Sequence, residues 1–527
     1  MSRRATLVGV CTLAALVAVL VSGAGVPDAP SSRVSRETIA RADAVDRPAR
    51  VFPEFAGVVI PPNLCPVNFV VNEPGRRYHV RIASVDGEPI ELTSDVPAIV
   101  IPPTKWRDLL SRNRGNPLTL TVTVQDLDGR WHRFRDVVDA TIAREDVDRW
   151  LVYRIISKYN QTYKDIGVYQ RDLEGYDETT LLHSASINRG CMNCHTFADR
   201  KPSTLVMHVR SKVGGGMLLV RDGKVTRVDT RSRFNPTPAK YIAVHPSGRL
   251  AAFAESKLLQ FGHTVGENAD VFDAGSDLAL YLFDANLVTT TPAISSADRQ
   301  ETYPSWSPDG RYLYFSSAPK LPPRLWKDVR YDLMRVAYDV ETGRWGRVET
   351  VLAANDTGLS MTHPRVSPDG RWLLFCASGC GSFPIWQTDA DLYIMDLGTR
   401  TVRPLTDANS DTAEAWHTWS SNGRWIVFSS RRRDGVLTKL YFSHVDEKGN
   451  ASKPLILPQK DPTLYDRSLH VYNLPEFATG PVDVTQQALI DALRSPEHLE
   501  AGLDPAVKPR VSDEELSRKS PQPAGIE

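Results

Sequence analysis

Five consecutive residues hold the most specific chemistry in this 527-residue chain: Cys191-Met192-Asn193-Cys194-His195. They spell Cys-x-x-Cys-His, the attachment pattern of a c-type haem, in which two thiols add across the porphyrin vinyl groups and the histidine that follows binds iron. Two intervening residues let both sulfurs reach one macrocycle. A bare Cys-x-x-Cys is also the signature of a redox dithiol or of half a zinc site. A zinc site needs two further Cys or His ligands at comparable spacing, and a thioredoxin-like dithiol needs a βαβ setting. Neither stands nearby, so the expectation is one haem c on Cys191 and Cys194, with His195 as the proximal iron ligand.

The sixth iron position separates electron transfer from reactivity, because a strong-field side chain there leaves nothing open to substrate. Candidates close in sequence are His183, Met207, His208 and Met217. Strand neighbours face opposite sides, so Met207 and His208 cannot both point at the iron. Met207 shares its facing with Val209 and reads as core, which leaves His208 as the expected distal ligand, with Met207 and His183 as runners-up. The competing reading of His208 is a surface histidine bonded to a loop.

Covalent haem requires export, and the N-terminus has that form. Arg3 and Arg4 precede an apolar run from Leu7 to Val21, followed by Ser22-Gly23-Ala24 at the cleavage positions. About fifteen apolar residues fall short of the roughly twenty that span a bilayer. A cleaved signal peptide over residues 1–24 is expected, leaving no membrane span, with an uncleaved anchor as the alternative. Either places the chain in the periplasm or otherwise outside the cytoplasm. The charges balance at 63 basic and 63 acidic residues. No net field is available to hold nucleic acid or an anionic surface.

Around the pentapeptide the chain reads as all-β. Residues 25–50 are charged and form a linker. Short alternating runs over 51–145, such as Leu118 to Val124, predict a β-sandwich with one helical insertion at Lys105 to Arg112. Isolated His79 and His132 read as solvent-facing. Residues 146–204 form a haem-binding segment rich in Tyr and Trp, a composition that suits a flat apolar cofactor or a domain interface. Four copies of one turn follow: His245-Pro246-Ser247-Gly248-Arg249, Ser307-Pro308-Asp309-Gly310-Arg311, Ser367-Pro368-Asp369-Gly370-Arg371 and Ser420-Ser421-Asn422-Gly423-Arg424. The turn glycines are 62, 60 and 53 residues apart (310−248, 370−310, 423−370). Turns before apolar strands at that period predict a β-propeller over 205–484, with six blades or seven, closed by a strand borrowed from its other end. Residues 485–527 read as a helix and then a disordered tail. In an oxidising compartment Cys376 and Cys380 either bridge or stand as two unrelated thiols.

The turns, together with Gly190 to Phe197, Ile60-Pro61-Pro62-Asn63, Tyr169 to Glu174, Ala415 to Trp425 and Leu457 to Pro462, resemble a family of exported bacterial proteins that join a cytochrome c motif to a TolB-like β-propeller. The resemblance runs from about Val51 to Val482. It implies that fold and one haem, and no defined reaction. One departure is Gln387, where the family pattern has a histidine after Ile-Trp.

Three functions compete on these residues. The first is a single-haem electron-transfer protein whose propeller docks a redox partner protein. The second is an envelope binding module with a structural or sensory haem. The third is a haem-dependent redox enzyme with a further copper or substrate site on the propeller face near His363 and His417, two residues that also read as turn-stabilising. A hydrolase is disfavoured, because no Gly-x-Ser-x-Gly elbow follows the propeller. A single Cys-x-x-Cys-His excludes a dihaem peroxidase.

Overall fold

The computed structural model describes residues 34–157, 165–260 and 271–518. Its body is a ring of six blades, each with four antiparallel strands. Blade 1 runs outward from the axis through Cys191–Ala198, Lys201–Arg210, Gly216–Arg221 and Lys224–Asp229. Blades 2 to 5 begin on the inner strands Lys240–Val244, Arg299–Trp306, Ser360–Val366 and Glu414–Trp419. Blade 6 is composite: Trp150–Ser157, Ile166–Asp172 and Glu178–His183 are completed by His470–Ala478, which pairs with Trp150–Ser157. The borrowed strand removes the free edges at the seam. Inner strands touch in the order 1-2-3-4-5-6-1, so blade 1 faces blade 4 across the axis.

The ring therefore starts at Trp150. Residues 146–204 do not stand apart as a haem-binding segment, but supply three strands of blade 6 and the inner strand of blade 1. Their hairpins lack the Pro-Asp-Gly turn that marks the later blades. Asp199 and Arg200, both left-handed, turn blade 1 instead.

The four repeated turns share one mechanism. Gly248, Gly310, Gly370 and Gly423 all have φ between 66° and 73°, a region open to glycine. Ser307, Ser367 and Ser420 each accept the backbone N–H of the first residue of the next strand at 2.8–3.0 Å. Indole N–H groups then join neighbouring blades. Trp306 donates to the Ala243 carbonyl at 3.1 Å and Trp419 to the Arg365 carbonyl at 3.0 Å.

Residues Asp43 to Ile142 form two sheets, of seven and three strands, around one core. The expected helix is Pro103–Arg112, with Trp106, Leu109 and Leu110 buried. Part of the expected linker is ordered, since Asp43–Pro48 pairs in parallel with Trp131–Arg135. His132 is partly exposed and bonds Asp126 at 2.8 Å. His79, expected in solvent, is buried with its Nδ1 unpartnered, because both faces of its central strand are covered. The sandwich shares its core with the propeller: Phe69, Val80 and Val122 belong to the same apolar cluster as Trp372, Trp425 and Phe477.

At the other end, helix Gln486–Arg494 buries Leu489, Ile490 and Leu493. The described residues beyond it, through Arg518, form a strap rather than a loose tail. Leu499–Glu500 adds in parallel to the outer strand of blade 1, and Gly502–Leu503 to that of blade 2. Arg510 closes it with a 2.6 Å ion pair to Asp277. Charged residues conceal this role, because the pairing is made by the backbone. Residues 1–24, the expected signal peptide, lie outside the described residues. No helix among those described is long and apolar enough to cross a membrane.

Candidate functional site

Every inner strand carries one extra residue near its middle. Tyr241-Ile242, Tyr303-Pro304, His363-Pro364, Trp416-His417 and Leu474-Pro475 each stand opposite a single residue of the adjoining strand. The first residue of each pair has a positive φ of 47°, 51°, 55°, 54° and 49° respectively. Such a bulge re-aims its side chain. Here all five line one axial cavity of about 60 Å³, well below the roughly 300–1,000 Å³ of ligand clefts. Five copies of one strained conformation make it a property of the architecture and not a mark of chemistry.

The aimed side chains form a continuous aromatic wall. Tyr241 meets Tyr303 at 4.6 Å between centroids, Tyr303 meets His363 at 3.7 Å, and His363 meets Trp416 at 4.6 Å. Arg365 and Glu476 pair at 3.0 Å and line both this cavity and a second one of about 80 Å³.

In blade 1 the bulge falls inside the Cys-x-x-Cys-His motif, at Asn193-Cys194, opposite His208. Arg154 of blade 6 braces it from behind, donating to the Met192 carbonyl at 3.2 Å and to the Asn193 side chain. Cys194 reaches the cavity, where its Sγ accepts the Tyr241 N–H at 3.3 Å. His195 lines the same cavity; its Nε2 lies 3.3 Å from the Val152 carbonyl, and its buried Nδ1 has no partner. Burial, reinforced by Arg154, holds its pKa down to about 4, so the ring is neutral, the form that binds metal. Cys191 is buried in a different apolar cluster, with Ile187 and Val209, and its Sγ accepts from Arg210 Nη2 at 3.5 Å.

His208 does not join this group. His195 pairs with Met207 across the strands, so those two share a face and His208 has the opposite one. There it faces blade 2, with both ring nitrogens buried and unpartnered. Burial and the charges of Arg210 and Lys240 lower its pKa to about 3. His208 as distal ligand is therefore corrected: strand alternation was applied to Met207 and His208 but not carried across the register to His195. Met207 has the right facing but packs in the core, and His183 caps the turn at Ala185. Met217 pairs with His208, on the far face.

The structure instead brings His363 and His417 to the cavity of His195. His417 has the turn-stabilising role, with Nε2 2.8 Å from the His363 carbonyl. His363 has Nδ1 3.0 Å from Thr362 Oγ1 and a buried Nε2 with no partner. Among the described residues no three His, Cys, Asp or Glu side chains converge tightly enough for a bare metal ion. Gln387 is buried and lines neither cavity. No disulfide joins Cys376 and Cys380.

The cavity-lining residues were legible in one unused signal. They stand four residues before the first residue of each turn: 245−4 = 241, 307−4 = 303, 367−4 = 363 and 420−4 = 416.

Of the motif, Cys194 and His195 reach the axial cavity, while the pairing of the inner strand keeps the Cys191 thiol in a different cluster, so this conformation does not place both thiols on one macrocycle. His195 and His363 each keep one buried nitrogen without a partner beside the aromatic wall.

No family model matches the sequence, and no curated protein shows significant similarity to it. Among solved structures the chain is similar to a GH74 enzyme from Niastella koreensis, with 12% identity and a TM-score of 0.35 over 57% of this chain and 44% of that one. It is also similar to oligogalacturonate lyase from Vibrio parahaemolyticus, with 11% identity and a TM-score of 0.30 over 57% and 92%. The β-propeller domain of the Trilobed protease from Pyrococcus furiosus gives 13% identity and a TM-score of 0.31 over 65% and 92%. Such overlaps are faint, and the strand order rather than any one of them makes this an all-β protein built on a six-bladed propeller.

Proposed function

We propose that the chain is an exported, single-haem c-type electron-transfer protein, with its propeller as the scaffold that docks a redox partner protein. Cys191 and Cys194 would hold the haem covalently and His195 would bind its iron. When bound, the group supplies a one-electron couple between ferric and ferrous iron. The observation that supports the reading is the position of the motif. Its second thiol and its histidine line the propeller axis, where five bulged strands aim aromatic and imidazole side chains at them. Burial keeps His195 neutral, and Arg154 braces its strand.

In-gel haem staining and a pyridine haemochrome spectrum of the exported protein test this reading. Wild type should stain as haem c, and the Cys191→Ala, Cys194→Ala double variant should lose the stain completely. A stain that survives both replacements overturns the attachment. Steady substrate turnover without a redox partner would replace electron transfer with an enzyme.

A further inference from the structure

We infer that the second cavity, at the turn end of the propeller axis, is a binding site for a small carboxylate, an inference that stands apart from the haem reading above. The inner strands of blades 1 to 5 line the first cavity at their bulges and the second with the residues that follow, so the two lie in series along the axis. Arg365 and Glu476 line both and form the partition between them. At about 80 Å³ the second cavity has room for several waters, each of which needs roughly 10–15 Å³. A molecule the size of acetate fits that space.

The charge of the ligand follows from which polar groups on the wall are already engaged. Both carboxylates are taken. Asp199 holds Arg200 Nη2 at 2.5 Å and Lys201 Nζ at 3.3 Å. Glu476 holds Arg365 at 3.0 Å through one oxygen and accepts the Thr418 hydroxyl at 3.3 Å through the other. What remains is a donor, because Arg200 Nε is buried with no acceptor, which native structures rarely leave so without a bound partner. Blade 1 alone presents this arginine, since its turn is Asp199-Arg200 where blades 2 to 5 have glycine. A carboxylate supplies the acceptor and matches the N–H groups of a guanidinium with its two oxygens. Arg365 is the second guanidinium on the wall, so an entering carboxylate competes with Glu476 for it. Burial pushes the Glu476 carboxyl above its ordinary pKa. Glu476 can therefore take up a solvent proton and stay beside Thr418 while Arg365 turns to the ligand.

The test is thermal melting and isothermal titration of the exported full chain with sodium acetate, against sodium chloride at equal ionic strength. Wild type should melt higher in acetate, by a shift that saturates. Arg200→Ala changes a partly exposed turn residue, so the variant should fold and lose the acetate shift. Glu476→Gln gives up the ionic hold on Arg365 and should lower the half-saturating acetate concentration about tenfold, the worth of one charge-assisted hydrogen bond. Lys201→Ala, outside the cavity, should keep the wild-type response. Equal melting in the two salts would show that the cavity holds water only and overturns the inference. An acetate shift that Arg200→Ala retains overturns it as well, whether or not the Glu476→Gln protein folds. The Cys191→Ala, Cys194→Ala variant should respond to acetate as wild type does, so failure of the haem reading leaves this one standing.

Discussion

Blade 1 and the four blades after it all bulge the inner strand by one residue, but only in the later four does the first bulged residue take a positive φ. In blades 2 to 5 the bulge lies four residues ahead of a glycine turn, and its first residue is Tyr241, Tyr303, His363 or Trp416, each aimed at the axis. In blade 1 a bulge without a positive φ carries Asn193 and Cys194, and no such turn follows. The Cys-x-x-Cys-His motif stands where the repeat is broken, and aromatic packing stands where it is kept.

The comparison is sharpest at the bulge itself. Tyr303 is buried between Tyr241 and His363, so Tyr303→Ala should cost on the order of 3–5 kcal/mol. Asn193→Ala removes one hydrogen bond to Arg154 and should cost about 1–3 kcal/mol. Urea unfolding of both variants is the measurement, and equal losses would erase the distinction drawn here.

The turns offer a smaller contrast. Gly310 and Gly370 both have φ +73°, yet a Cβ at Gly310 would lie 2.5 Å from His245 Nε2, while one at Gly370 meets nothing within 4 Å. Alanine at either position pays the left-handed backbone penalty of about 1–2 kcal/mol. Gly310→Ala should lose about 1–3 kcal/mol more, together with the His245 bond to the Gly310 carbonyl. Matching melting temperatures for the two variants would show that the ring of His245 yields freely.

The smallest effect separates the two faces of blade 1. The unfolded chain takes up a proton at His208 near pH 6.5, but the folded chain resists until about 3. Stability therefore falls as pH drops below 6.5 and levels off near 3, with a loss at pH 5 of about 2 kcal/mol from this residue. His208→Leu should remove that part of the acid limb and leave the protein more stable at pH 5. A stability-against-pH profile parallel to wild type would mean that His208 is protonated in the folded state.

Much of the fold was legible in the sequence because its period is written in turn residues. Gly310 and Gly370 reveal their backbone by identity, and Trp106, Leu109 and Leu110 reveal a helix by spacing. The site was legible only by residue type. Cys191 and Cys194 look equivalent in sequence, but a bulge of one residue sends their thiols into different clusters. Strand neighbours told Met207 from His208, yet which of them shares a face with His195 depends on register, which no local pattern carries. Blade 6 was hidden for a related reason: its strands come from residues 150–183 and 470–478.

That composite blade also sets a clock. Arg154 and Asn473 bond across 319 residues (473−154), so the seam cannot form until nearly the whole ring has been made. Blade 1 lies against that seam, and until His470–Ala478 docks, the strand holding Cys191 and Cys194 lacks the neighbour that buries it. The last joint to close is thus the one beside the only Cys-x-x-Cys-His in the chain. Both thiols stay reachable through the longest interval the topology allows, after which the ring encloses whatever they have bound.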